Sequence, residues 1–254
     1  MRRLIILAEV ALGLLFASCT KEEQRTLSVI PAPLKVELQQ EVFSLNSETG
    51  LYIDASEGDK KILEDYLVAS SMNLKPVIAE EGHNVVLKQV AELPEVNSSE
   101  GYVLTVTPDQ VLIRATSGAG VQTMLQMVDE KGLPAGVITD EPRFAYRGFM
   151  MDVSRHFFDK EFIKKQMDAL AYYKLNRLHL HLTDAAGWRL EIKKYPRLAE
   201  VGSVRRNADG SIHRGFYTQE QIKEVVAYAA ERYITVIPEV ELPGHALAAL
   251  TAYP

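Results

Sequence analysis

The chain has 254 residues, of which 47% are hydrophobic and 24% are charged, a composition typical of a globular protein that buries a sizeable core. The formal net charge is -6 and basic residues are interleaved with acidic ones, which argues against nucleic-acid binding because phosphate contacts need clustered Lys and Arg. The single cysteine, Cys19, excludes an intramolecular disulfide.

The first 18 residues predict an export signal. Two arginines are followed by an apolar run over residues 4–16 and by two small residues directly before Cys19. A small pair before a cysteine resembles the bacterial lipobox, whose cysteine is acylated and tethers the protein to a membrane. The apolar run is shorter than the ~20 residues that span a bilayer. We therefore predict a signal peptide over residues 1–18, an acylated Cys19 with a linker over 19–25, and an exported lipoprotein of the outer membrane or periplasm; simple secretion and a signal anchor are the alternatives.

Strand-like runs alternate with helical stretches from residue 26 to about residue 142, which predicts a small α/β domain. Pro108-Asp109-Gln110 has the turn residues that join two β-branched runs into a hairpin. The stretch over residues 134–142, with its glycine and prolines, is predicted to connect this domain to the next. The predicted strands are 51–53, 85–88, 102–107 and 111–115, and the predicted helices are 59–70 and 120–129.

From residue 143 onward the pattern changes to strand, helix, strand, helix, strand, which indicates βαβ units with parallel strands. Asp159 is a predicted N-cap, and Thr218 with Gln221 forms a predicted capping box. Residues 143–254 are enough for about three of the eight units of a (β/α)8 barrel, which typically takes about 250 residues. The predicted fold class is therefore α/β, a small α/β domain followed by the first part of a TIM barrel. Its elements are predicted at 145–153, 160–173, 176–182, 219–232 and 234–240.

Three ordered segments of the second half resemble glycoside hydrolase family 20, the β-N-acetylhexosaminidases. They are RGFMMDVSRHF over residues 147–157, NRLHLHLTD running on to GWR over 176–189, and PEVELPGH over 238–245. The domain over 26–142 also resembles the non-catalytic domain that commonly precedes the barrel in this family.

The resemblance implies retaining hydrolysis of a terminal N-acetylglucosamine or N-acetylgalactosamine, with the acetamido oxygen of the substrate as nucleophile. It implies glycans ending in N-acetylhexosamine as partners and neither a metal nor an organic cofactor. An adjacent Asp and Glu orient the acetamide and transfer the proton in such enzymes, but the chain has no His-x-Gly-Gly-Asp-Glu-like segment. We therefore predict that the chain is an N-terminal fragment, inactive and prone to aggregate through exposed strand edges.

The resemblance assigns roles to four residues of the chain. Arg147 is expected to hold hydroxyls of the terminal sugar, with a salt bridge at the strand start as the alternative. Asp184 and His245 are expected to form a hydrogen-bonded relay toward the general acid. Glu241 stands where the family often has Asp and is expected to join the same network and bind substrate.

Three further features carry alternative interpretations. Trp188 is expected to pack beneath its loop, with sugar stacking as the alternative, and Arg155 and His156 are expected to be structural. His179 and His181 share one face of a strand, so a zinc-dependent barrel hydrolase using His245 as a further ligand is a rival function. A glycan-binding lipoprotein without catalysis is the rival from another class.

Overall fold

The computed structural model describes residues 27–69, 72, 74–129 and 131–254. Cys19 and the predicted export signal lie outside the described residues. The described part contains two main sheets, one of seven mixed strands and one of three parallel strands. Within this part, no helix combines the length and the apolar character that crossing a membrane requires.

The first sheet has the strand order β1-β7-β5-β6-β4-β2-β3. Apolar side chains of its strands pack with those of two helices into one core. The predicted hairpin is confirmed, because β5 and β6 pair antiparallel across a turn in which the Thr107 amide donates to the Gln110 carbonyl at 2.9 Å. The elements are β1 (Lys35–Phe43), β2 (Gly50–Asp54), α1 (Glu57–Ala69), β3 (Lys75–Pro76), β4 (Asn84–Gln89), β5 (Tyr102–Val106), β6 (Gln110–Ala115), α2 (Ala119–Met127) and β7 (Leu133–Asp140).

The stretch predicted as a connection is a strand inside the first sheet. β7 lies between β1 and β5 and is mostly buried. Its glycine and proline, which suggested a turn, sit where β1 has an irregular register between Leu38 and Val42. Gly136 has a φ of 148°, and a Cβ there would lie 2.2 Å from the Glu37 carbonyl oxygen. The glycine therefore permits a close approach of two backbones.

The second sheet consists of parallel strands in the order β14-β9-β8, as the alternating pattern predicts. The predicted N-cap and capping box are both confirmed. The Asp159 side chain accepts from the Phe162 amide. The Thr218 hydroxyl accepts from the Gln221 amide, and the Gln221 side chain accepts from the Thr218 amide. The two long helices pack their apolar stripes onto one face of the sheet. The elements are β8 (Gly148–Asp152), α3 (Lys160–Tyr172), β9 (Arg177–His181), β10 (Thr183–Asp184), β11 (Gly187–Trp188), α4 (Arg197–Glu200), β12 (Val204–Arg206), β13 (Ile212–Arg214), α5 (Gln219–Ala230), β14 (Thr235–Glu239) and α6 (Leu247–Ala252).

Buried charges join the two sheets at the amino-terminal ends of the parallel strands. Lys174 contacts Asp140 at 2.9 Å and donates to the Tyr102 hydroxyl at 2.8 Å. Burial lowers the pKa of Lys174, although the Asp140 carboxylate opposes that effect. Arg147 pairs with Glu100 beside this contact. These ion pairs connect strands β5 and β7 of the first sheet to the start of β8 and β9.

Replacing Gly136 by Ala tests the tight backbone approach in β7. We expect Gly136→Ala to lower the free energy of unfolding by ~1–3 kcal/mol, because the new Cβ meets a backbone carbonyl at an unfavourable φ. The matched control is Gly58→Ala in α1, where nothing lies within 4 Å of the added Cβ, and where a gain of up to about 1 kcal/mol is expected. Urea unfolding measures both; equal stability of the two variants would contradict the close approach.

Candidate active site

Charged side chains meet where the three parallel strands end. The register aligns Asp152 of β8, His181 of β9 and Glu239 of β14 in one row at the carboxyl edge of the sheet. Residues two positions apart on a strand share a face, so His179 lies on the same face one step earlier. The carboxyl edge is where parallel α/β barrels place their functional groups.

Asp184 is the centre of this cluster. Its side chain is 7% exposed, and its Oδ2 atom contacts Arg155 Nη2 at 2.5 Å, His245 Nδ1 at 2.8 Å and His181 Nε2 at 3.2 Å. The Ala185 amide donates to the other carboxylate oxygen at 2.5 Å. The structure thus brings together the two residues predicted to form a relay, Asp184 and His245. The His245 side chain is half-exposed.

His181 and Glu239 extend the cluster along the sheet edge. Burial lowers the pKa of His181, but hydrogen bonds to Glu239 and Asp184 outweigh it, so the net shift is upward. The hydrogen bond from His181 likewise holds the pKa of Glu239 below its ordinary value, and Glu241 adds a further hydrogen bond to that carboxylate. Glu241 therefore reaches the network through Glu239, and its predicted contact with substrate stays a prediction.

Arg155, and not the predicted Arg147, is the arginine that lies at this cluster. It follows β8 directly, its Nη1 contacts Asp152 Oδ2 at 2.7 Å, and its side chain is 48% exposed. Asp152 also accepts from the amides of Ser154 and Arg155, which fixes the turn. Arg155 was expected to be structural, and its place beside Asp184 makes it a candidate functional residue. The signal was available, since Arg155 follows the carboxyl end of the strand and Arg147 precedes its start.

The prediction that Arg147 binds sugar hydroxyls is corrected by its location. Arg147 lies at the opposite end of β8 from Asp184, where Nε donates to the Lys174 carbonyl at 2.7 Å and Nη1 to the Phe144 carbonyl at 2.8 Å. Its Nη2 pairs with Glu100. The guanidinium is thus engaged by protein groups at the domain junction, which is the salt-bridge alternative.

Trp188 and Arg189 stabilise the floor of the site. Trp188 is buried against α4 and α6, and its indole donates to the Leu190 carbonyl at 2.6 Å, so it packs beneath the loop as expected. Arg189 is fully buried and forms no ion pair with a carboxylate of the described residues. Burial contributes most to lowering the pKa of Arg189, which falls to about 10.

The Arg189 guanidinium joins three loops through backbone carbonyls. Nη2 donates to the Ser154 carbonyl at 2.7 Å, and Nη1 donates to the carbonyls of Ser203 and Gly215, both at 2.8 Å. Gly187 leaves the necessary space, because a Cβ there would lie 2.3 Å from the guanidinium carbon. Arg189 thereby fixes the residue that precedes Arg155 and both ends of the β12–β13 hairpin.

His213 connects that hairpin to the strand end. Its Nε2 accepts a hydrogen bond from the Phe157 amide at 3.1 Å, and its ring lies 5.6 Å from that of His156. Burial, followed by the charges of Arg189 and Arg205, lowers the pKa of His213. The neutral ring is the form that accepts this bond.

The cluster matches the zinc alternative only in part. Among the described residues, one group of potential metal ligands has its ligand atoms within 4.8 Å of one another, and it consists of His181, Glu239 and Glu241. His179 and His245 are outside this group, and both ring nitrogens of His181 already contact carboxylates. A metal would therefore have to displace existing hydrogen bonds.

Comparisons with known proteins give one answer for both halves of the chain. The family model described as glycosyl hydrolase family 20, catalytic domain, matches residues 144–254, and that described as glycosyl hydrolase family 20, domain 2, matches residues 26–141. A β-hexosaminidase of Porphyromonas gingivalis is 44% identical over 92% of this chain and 32% of its own length. A β-hexosaminidase of Vibrio furnissii is 37% identical over 90% of this chain and 40% of its own length.

Solved structures agree. A β-N-acetylhexosaminidase from Bacteroides fragilis aligns with a TM-score of 0.78 at 36% identity, covering 89% of this chain and 47% of that one. An exo β-N-acetylglucosaminidase from Vibrio harveyi, solved with N-acetylglucosamine, gives a TM-score of 0.78 at 32% identity, covering 91% and 39%. These matches define the class as glycoside hydrolases of mixed α/β fold with a TIM-barrel catalytic domain. Within that class, the chain belongs to glycosyl hydrolase family 20, and it spans about a third of the length of the curated relatives, 32% of the first.

Acid should weaken the attachment of the hairpin through His213. Because the folded-state pKa is lowered, this residue contributes stability that is present above the unfolded pKa of about 6.5 and is lost as pH falls below it. His213→Gln keeps an acceptor near the Nε2 position without titrating. We expect the fall in thermal midpoint between pH 7.5 and pH 5 to be smaller in this variant, measured by circular dichroism. An identical fall in both proteins would contradict the role of His213.

Proposed function

We propose that the protein is a β-N-acetylhexosaminidase that removes terminal N-acetylglucosamine or N-acetylgalactosamine from glycans with retention of configuration. The observation that carries the proposal is the Asp184–His245 contact beside Arg155 at the carboxyl ends of the parallel strands. The names of the relatives support the same activity. The N-acetylglucosamine bound to the related enzyme from Vibrio harveyi supports the substrate class.

In this proposal Asp184 and His245 tune a general acid. A carboxylate that accepts from Nδ1–H fixes the imidazole tautomer and leaves Nε2 as an acceptor. In this role Nε2 of the half-exposed His245 accepts a hydrogen bond from the acid and influences when that acid gives up its proton. The adjacent Asp and Glu that the family resemblance implies for proton transfer would complete this relay, and the inactivity of the chain without them stays a prediction.

Arg155 is the proposed sugar-binding arginine. Two carboxylates hold its guanidinium in place, Asp152 at 2.7 Å and Asp184 at 2.5 Å. Five N–H donors in a rigid fork leave further donors for neutral hydroxyls. The lone pairs of those hydroxyl oxygens can accept the remaining N–H donors.

We also propose that β8, β9 and β14, with their two covering helices, are the first three strands of the TIM barrel. Their parallel order, their carboxyl-edge cluster and the apolar packing of α3 and α5 on one face support this layout. The sheet over β1–β7 would then be the non-catalytic domain of the family.

Turnover of an aryl N-acetyl-β-glucosaminide by the signal-free product of the natural gene tests the proposed activity. Turnover that persists in a chelator is expected, because no step uses a metal. Activity lost on chelation would favour the zinc hydrolase. Binding of N-acetylhexosamine glycans without turnover would favour the non-catalytic lipoprotein.

Two arginine variants separate the sugar-binding position from the domain junction. Arg155→Lys should raise KM about ten- to hundredfold, since charge-assisted hydrogen bonds contribute about 1.5–3 kcal/mol each. The matched control, Arg147→Lys, should lower the unfolding midpoint and leave KM close to the unmodified value. A rise in KM confined to Arg147→Lys would reverse the assignment.

We further propose that Cys19 carries lipid and anchors the protein in the cell envelope. The small pair before the cysteine supports this, and Ser18→Ala keeps that pair small. Cys19→Ser should move the protein from the detergent phase to the aqueous phase when cells are extracted with Triton X-114. Ser18→Ala should leave it in the detergent phase. A Cys19→Ser protein that stays in the detergent phase would instead indicate an uncleaved signal anchor.

A further inference from the structure

His181 connects the relay residue Asp184 to a second carboxylate, that of Glu239. Its Nε2 atom lies 3.2 Å from Asp184 Oδ2, and its Nδ1 atom contacts Glu239 Oε1. The other carboxylate oxygen of Glu239, Oε2, contacts Nε2 of His179. Glu239 therefore bridges two histidines of β9, whose side chains share one face of that strand because they are two residues apart.

Both nitrogens of the His181 ring are engaged, which fixes the orientation of that ring. An ionised carboxylate only accepts hydrogen bonds, so Nε2 donates to Asp184 and Nδ1 donates to Glu239. A half-turn of the ring would place carbon atoms where the two nitrogens lie, and both hydrogen bonds would be lost. The side chain is 5% exposed, and a buried polar group that loses its partner is costly. His181 is thus held in one orientation.

Three donors contact Asp184 Oδ2, and His181 is the buried one among them. Arg155 and His245 are 48% and 49% exposed, whereas His181 is 5% exposed. His181 ends β9, which lies between β8 and β14 and is therefore paired on both sides. Arg155 and His245 lie in the loops that follow those two outer strands. The contact that ties the Asp184 carboxylate to the sheet is therefore the one with His181.

We propose that His181 and Glu239 are positioning residues for the proposed reaction. The inference rests on the proposed function, in which Asp184 and His245 tune the general acid, and it adds the pair that holds Asp184 in place. Glu239 fixes the His181 ring, and the ring fixes the Asp184 carboxylate. That carboxylate can then fix the tautomer of His245. The pair acts through other residues, so its effect falls on the step in which the leaving group receives a proton.

Two aryl N-acetyl-β-glucosaminides separate this role from a structural one. Phenol is a poor leaving group that needs a proton from the general acid as the glycosidic bond breaks, whereas 2,4-dinitrophenolate leaves without one. We measure kcat/KM for both with the signal-free product of the natural gene. His181→Ala and Glu239→Gln should each lower kcat/KM for the phenyl glycoside about ten- to hundredfold. For the dinitrophenyl glycoside each should change it less than about threefold.

The two substitutions break the same unit in different ways. Ala removes the ring, whereas Gln at position 239 keeps the size of the side chain but has one acceptor oxygen and cannot hold both histidines. His181→Gln keeps an N–H donor toward Asp184, so it should recover part of the activity on the phenyl glycoside that His181→Ala loses. The ratio of the two kcat/KM values does not depend on how much of a variant is folded, because both values come from one preparation.

The matched control is Asn176→Ala, at the opposite end of the same strand. Asn176 directly precedes β9, is buried, and donates to the Ala145 carbonyl at 2.9 Å. Its loss should lower the unfolding midpoint, because a buried hydrogen bond is removed. The ratio of the two kcat/KM values should stay that of the unmodified protein.

Each other outcome overturns the proposal. Equal falls on both substrates in His181→Ala and Glu239→Gln would make the pair a purely structural one. A rise in KM alone, the same for both glycosides, would instead place the pair against the sugar. A changed ratio in Asn176→Ala would remove the assignment to this pair. An unmodified protein that turns over neither glycoside would refute the proposed function itself.

Discussion

The buried guanidinium of Arg189 is the interaction on which the site depends. A charged group taken out of water is stable only when its donors are satisfied, and here backbone carbonyls of three loops satisfy them. Because these carbonyls are far apart in sequence, one side chain sets the relative positions of the turn before Arg155, the start of the hairpin and its end. The hairpin strands pair with each other, and the shared donor attaches both ends of that pair to the turn before Arg155.

Above that support, the site is a chain of alternating charge. Arg155, Asp184, His181 and Glu239 follow one another across the ends of three strands, each in contact with a neighbour of opposite character. Such an arrangement keeps each ionised group stable at a half-buried edge, since every charge has a partner. His245 joins this row as a branch at Asp184 and is half-exposed.

Of the fourteen strands and six helices in the described residues, the sequence predicts seven strands and four helices, together with the two capping motifs, because apolar periodicity and N-cap chemistry act locally. It does not predict β7, because the φ of Gly136 and its approach to Glu37 depend on a strand almost 100 residues earlier. Local turn propensity and tertiary pairing conflicted there, and pairing prevailed.

The sequence also predicts some residues of the candidate site and misses others. Asp184 and His245 are recognised from motifs and do meet, whereas the arginine that lies beside them is Arg155 and not the predicted Arg147. Both arginines lie in one short segment, and only the direction of the parallel strand decides which of them reaches the carboxyl edge. The deep burial of Arg189 could not be read from the sequence, since its carbonyl partners come from loops without a shared pattern.

The domain junction limits how such proteins can exchange parts. Lys174 and Arg147 on the barrel side depend on Asp140 and Glu100 on the other side, and a partner lost on one side leaves a poorly solvated charge on the other. A chimaera that joins this first domain to a different barrel would keep these contacts only if a lysine and an arginine stand at the positions of Lys174 and Arg147. The junction therefore makes the choice of one domain a constraint on the choice of the other.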